Sequence, residues 1–193
     1  FQMDPTNPTQ ILKYKLMEEG VKPIPTIAEQ TVIQDNEGDV KQFWIISSFS
    51  SYPYEYTQVS ATLLAVGTHS YVYVTNSIIS AYGSSYATSL AEDWQNEFDT
   101  NIYPNDVQYY GDPSGYLGDI DGDPHVTILL CQLDGGVAGY FDPTNEQYGL
   151  NSNAREMVYV DFQQPYGVLA HEFQHRIHYN YDQNERWLID EGC

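Results

Sequence analysis

The sequence predicts an α+β fold in which an antiparallel or mixed β-sheet comes first, a helix packs on it, and a histidine-bearing helix follows. Three observations predict it. β-rich apolar runs occupy residues 43–76, apolar positions recur every four residues between 84 and 103, and a second four-residue period begins after Gln164. At 193 residues the chain holds one sizeable core and is too short for two large domains.

Residues 1–40 read as an extended lead-in that wraps a surface, because Pro5, Pro8, Pro23 and Pro25 stand among polar residues and only Ile11–Met17 has helical character. The domain proper is expected over 41–193. It opens with the runs FWIIS at 43–47, YTQVSATLLAV at 56–66 and SYVYVTN at 70–76, and the turn Gly67-Thr68-His69 joins the last two as a hairpin. Leu90, Trp94, Phe98 and Ile102 then line one face of a helix over 84–103. A Gly, Asp and Pro stretch at 111–124 precedes the buried-strand run VTILLCQL at 126–133. The turn Gly135-Gly136 leads into VAGYF, a polar loop covers 142–155, and MVYVDF at 157–162 is a further strand. A helix opens at Pro165, a favoured first-turn residue, with Leu169, Phe173 and Ile177 on one face and His171, His175 and His178 on the other.

Composition narrows the function classes. Seven basic residues against 27 acidic ones give a formal net charge of −20, a field that repels phosphate backbones and anionic lipid headgroups. Nucleic acid and membrane surfaces are therefore not expected partners. No apolar run approaches the ~20 residues that span a bilayer. The chain begins at Phe1 without a charged-then-apolar signal pattern, as expected where a leader, pro-segment or flanking sequence has been removed. Two cysteines, Cys131 and Cys193, allow a single bridge at most. Few lysines and many Tyr, Asn, Gln and Ser suit a secreted protein.

The chemistry is concentrated in His171-Glu172-Phe173-Gln174-His175, an H-E-x-x-H string on an expected helix. Residues four apart stand about 40° around the axis and about 6 Å along it, so both imidazoles can converge on one ion. Zinc fits such ligands, and a catalytic site adds a third protein ligand while keeping a position for water. Glu172, between the histidines and to one side, is placed to act as general base toward that water.

Three residues compete for the third position. His178 lies about 10 Å along the axis from His171, a poor distance for sharing one ion. Glu191, in Trp187-Leu188-Ile189-Asp190-Glu191-Gly192, follows a polar turn at 181–185 that lets a second helix fold back beside the first, and completes a His, His, Glu set. Asp190 is its main rival. Residues 176–181 carry neither the Gly nor the third His that a metzincin pattern requires.

At these residues the sequence resembles the gluzincin metallopeptidases, in particular the hyicolysin-like and immune inhibitor A-like secreted peptidases. GVLAHEFQHRIHYN and NERWLIDEG carry the chemical part of the likeness. QVSATLLAVGTHSYVYV at 58–74, GDIDGDPHVTILL at 118–130, and VAGYFDP with SNAREMVYVD between 137 and 161 extend it over roughly residues 40–193. The resemblance implies a zincin-like fold, zinc on His171, His175 and Glu191, and Glu172 as catalytic base. It also implies a mostly helical C-terminal subdomain beyond residue 193. The segment Trp-Leu-Ile-Asp-Glu-Gly is one residue longer than the Trp-Leu-Asn-Glu-Gly common in such relatives, which keeps Asp190 in play.

Three further features carry expectations. Asp119, Asp121 and Asp123 stand at alternate positions, as in the opening of a Ca²⁺ loop, and are candidate calcium ligands; Pro124 and Leu130 replace the Gly and Glu of an EF-hand. The run 136–141 can present an edge that takes an extended peptide as an added strand, or form an ordinary hairpin. Tyr159 and Tyr181 are candidate donors to a developing oxyanion. The expected function is a secreted zinc endopeptidase acting on proteins or peptides. The alternatives are a noncatalytic binding module stabilised by metal and a latent portion of a peptidase.

Overall fold

The computed structural model describes residues 8, 11–12, 34–50, 52–113 and 119–182. Six strands form one mixed sheet: β1 (Val40–Ser48), β2 (Glu55–Val66), β3 (Ser70–Thr75), β4 (Val126–Cys131), β5 (Gly139–Tyr140) and β6 (Met157–Asp161), in the order β1-β2-β3-β4-β6-β5. Strands β1 to β3 are an antiparallel meander, β3, β4 and β6 run parallel, and β5 returns antiparallel on the β6 edge. Four α-helices with described bounds accompany it: α1 (Asn76–Tyr82), α2 (Ser84–Glu97), α3 (Tyr103–Tyr110) and α4 (Gly167–Tyr181). The α+β class and the mixed sheet are as the sequence predicts. No helix among the described residues is long and apolar enough to cross a membrane.

The central strands are buried on both faces, and period two sorts their side chains into two different cores. Val72, Val74, Ile128, Leu130, Val158 and Val160 face the helices with Trp94, Phe98, Leu169, Phe173 and Ile177. Tyr71, Tyr73, Leu129, Cys131, Met157 and Tyr159 face the opposite core, with Phe43, Ile45, Tyr140 and Leu12 of the lead-in. Tyrosines suit that second face because their hydroxyls find partners: Tyr71 donates to Asp123 (2.8 Å), Tyr73 to Asp35 (2.7 Å) and Tyr159 to the Trp44 carbonyl (3.1 Å).

The helix expected over 84–103 is interrupted. Residues Phe98–Ile102 form a π-turn between α2 and α3, and the helical segment runs on to Tyr110. The extra residue turns the Asp99 carboxylate to the β2–β3 turn, where it accepts from Thr68 N and from Ser70 Oγ (2.9 Å). Gly67 is needed there, since a Cβ would run into the Asp99 carboxylate and Ser70 Oγ. Phe98 and Ile102 keep their expected burial, Leu90 is only partly covered, and Ala87 and Ala91 are fully buried in the same core.

Helix α4 lies on the helical face of the sheet through Leu169, Phe173 and Ile177, all fully buried. Phe173 sits edge-on to Phe98 (4.9 Å between centroids) and stacks at an offset on Tyr103 (5.8 Å). Truncating such a ring to Ala costs about 3–5 kcal/mol, so this contact holds the height of the helix. The opposite side is not the solvated face its histidines suggest: Glu172, Gln174, His175 and Arg176 are buried as well.

Candidate metal centre and cleft

The start of α4 is set by β6 and the turn after it. The Asp161 carboxylate accepts from Leu133 N (2.9 Å) and Gln163 N (3.0 Å), tying the β4 and β6 exits together. Pro165 O then receives Val168 N (3.0 Å), and Tyr166 rests edge-on against Trp94 (5.0 Å). From this anchored first turn His171 and His175 converge: their Nε2 atoms are 3.0 Å apart, with the ring planes at 74°. Two unprotonated nitrogens at that separation would set lone pair against lone pair, so a proton or a cation belongs between them. His175 is fully buried and His171 partly exposed.

Beside the pair runs a cleft of about 590 Å³ lined by residues 135–139, by Pro165, Gly167 and Val168, and by His171, Glu172 and Pro8. One wall is therefore the chain leading into the edge strand β5, and the other is the first half of α4. The two walls touch because residue 139 is glycine: a Cβ there would meet Val168 Cγ1 at 2.7 Å, the Tyr159 carbonyl at 2.9 Å and Glu172 Cγ at 3.2 Å. Glu172 is the one carboxylate lining the cleft among the described residues.

The remaining expectations fall differently. Glu191 and Asp190, the candidates for a third ligand, lie outside the described residues, as does Cys193. Cys131 is buried, its thiol facing the Val160 carbonyl at 3.8 Å; burial pushes that thiol well up. His178 packs edge-on against Tyr110 of α3 (4.9 Å). Nearby, burial pushes the Asp106 carboxyl up to about 6, with His178 opposing the shift. Tyr159 is fully buried and committed to Trp44, Asn145 and Asn153, and Tyr181 accepts from Asp112 N (2.9 Å). Neither tyrosine lines the cleft.

The acidic loop before β4 is rearranged relative to the sequence expectation. Asp119 and Asp121 come together with Glu156, their candidate ligand oxygens within 4.8 Å of one another. Asp123 leaves the group, because Tyr71 donates to its Oδ2 (2.8 Å) and His125 Nδ1 meets its Oδ1 (2.5 Å). Behind them Arg176 of α4 pairs with buried Glu146 (3.0 Å) and stands 3.8 Å from Glu156. Burial raises both glutamates, Arg176 opposes it, and Glu146 pushes Glu156 further up. Arg155 divides itself between Asp35 (2.9 Å) and Asp121 (3.7 Å). For Asp35 burial alone would raise the carboxyl, but Lys41, Arg155 and the Tyr73 hydroxyl hold it below the usual range. Glu146, Glu156 and Arg176 were not foreseeable as site residues, since each enters through a contact distant in sequence.

The chain matches no protein-family model, and no curated protein matches it.

Proposed function

We propose that this protein is a zinc-dependent endopeptidase of the zincin type that works outside the cell on proteins or peptides. The observation that carries the reading is the convergence of His171 and His175 at 3.0 Å on a helix whose neighbouring Glu172 faces a cleft walled by a sheet edge.

The donor set fits the metal. Two nitrogens at about 2.0–2.1 Å from one tetrahedral ion stand about 3.3 Å apart, close to the observed 3.0 Å. His171 and His175 would hold it, with Glu191 or Asp190 as third ligand. Zinc bound there would supply a Lewis acid that polarises the scissile carbonyl and acidifies an attacking water. Glu172 takes the proton of that water and delivers it to the departing amine. Its low exposure of 6% shields the proton from exchange with bulk solvent.

Strand β5 is an edge of the sheet, along which an extended substrate can lie as an added strand. An aminopeptidase needs a carboxylate for the substrate ammonium, and among the described residues the cleft lining has none besides Glu172. That favours cleavage within a chain. The test is Glu172→Gln: bound zinc is retained and hydrolysis of an unfolded protein substrate is lost, whereas unchanged cleavage refutes the mechanism and favours a noncatalytic role for the metal.

A further inference from the structure

The loop before β4 and the residue that leads into β6 bring together more negative charge than the cations among the described residues balance. Asp119, Asp121 and Glu156 offer three carboxylate oxygens within 4.8 Å, and Glu146 adds a fourth carboxylate on the far side of Arg176. Against these stand Arg176, shared between the two glutamates, and Arg155, which is committed first to Asp35. A charge cluster of this kind on a surface would be ordinary.

This one reaches inside. Glu156 is 4% exposed, its Oε1 accepts from Ile120 N (2.7 Å), and its Oε2 is buried without a hydrogen-bond partner among the described residues. Ile120 lies between Asp119 and Asp121, so that bond fixes the Glu156 carboxyl at the mouth of the loop and aims it at their carboxylates. Glu146 Oε2, fully buried, is likewise without a partner. Removing a carboxylate oxygen from water without a donor carries a desolvation cost that Arg176 offsets only in part, since both glutamates stay raised.

We propose that Asp119, Asp121 and Glu156 hold a hard divalent cation of the size of Ca²⁺, which locks the loop before β4 to the start of β6. The donors are oxygen only, which selects a hard ion over zinc or copper. Oxygens within 4.8 Å of one another are close enough to share one ion at the 2.3–2.6 Å bond lengths of Ca²⁺. Calcium takes about 6–8 oxygens, so water completes the shell. Asp123, although in the same acidic string, is not a ligand. The site is separate from the histidine pair and does not depend on it.

The experiment uses the full chain and its His171→Ala variant, stripped with a chelator, titrated with Ca²⁺ by calorimetry and melted with and without it. One calcium per chain is expected in both, with Tm rising by about 5–10 °C at a hundredfold excess over Kd. Asp121→Asn and Glu156→Gln should each lose that response. Glu156→Gln keeps an acceptor for Ile120 N and sheds a charge, so without calcium it should melt no lower than the parent, which separates lost binding from lost folding. Absence of binding heat and an unchanged Tm at millimolar calcium would overturn the proposal and leave a shared proton as what neutralises the group. Persistence of the response in Asp121→Asn would overturn the ligand assignment.

Discussion

Gly139 on the edge strand lies against Glu172 on α4, so close that a methyl group at 139 would stand 3.2 Å from the glutamate's Cγ. The cleft owes its geometry to this approach. The edge backbone passes the candidate base without an intervening side chain, and whatever lies along that edge lies beside Glu172.

Gly139→Ala therefore separates geometry from stability. The added carbon also meets the Tyr159 carbonyl at 2.9 Å, which is backbone and gives little. The overpacking should cost about 1–3 kcal/mol, leaving the chain folded, while displacement of Glu172 lowers kcat by about 10–100-fold. Denaturant melts and steady-state kinetics on the same preparation test this. A variant with reduced stability but full kcat would contradict it.

The Arg176–Glu146 pair is the buried ionic support of the motif helix, with side chains 2% and 0% exposed. Arg176→Met leaves a carboxylate in the interior without its cation and should destabilise by about 3–5 kcal/mol. Adding Glu146→Gln removes the stranded charge and should recover a large part of that loss. Chemical denaturation of the two variants measures both numbers.

Asp35 makes stability depend on acid. Its carboxyl is held below the ordinary 3.8 by Lys41, Arg155 and Tyr73 against the pull of burial. A lowered pKa means that the stabilisation is present above the unfolded value and disappears as pH falls through the folded one. Asp35→Asn should accordingly be less stable than the parent at pH 7, and the difference should close below about pH 4. Parallel melts from pH 7 to pH 3 read it directly.

Asp106 works in the opposite sense. Burial raises its carboxyl from 3.8 to about 6, so the folded state binds the proton more tightly, and the associated stability, complete below the unfolded value, is lost as pH rises through 6. Asp106→Asn should match the parent near pH 3.5 and exceed it at pH 8 by about 1–2 kcal/mol, allowing for partial solvent screening. Equal stability at both pH values would show that the carboxylate is well solvated.

The strands were legible because the sheet is buried on both faces and the alternation survives as a contrast between aliphatic and aromatic residues, Val72 and Val74 against Tyr71 and Tyr73. The histidine pair was legible because both members belong to one helix turn. The short helix Asn76–Tyr82 was not, since its central Ile78 and Ile79 read equally well as the end of a strand. The π-turn at 98–102 leaves no sequence signal either, because Phe98 and Ile102 preserve the four-residue spacing across it. Glu156 displaced Asp123 from the acidic group for a reason that no local pattern contains: Tyr71 and His125 claim Asp123, and Ile120 N claims Glu156.

We propose His171 and His175 as ligands of one catalytic zinc. Elemental mass spectrometry of the purified chain, beside His171→Ala and His175→Ala, tests it most directly. About one zinc per chain is expected, lost in both variants and retained in Glu172→Gln. Zinc absent after reconstitution, or present and undiminished in the two histidine variants, would contradict it.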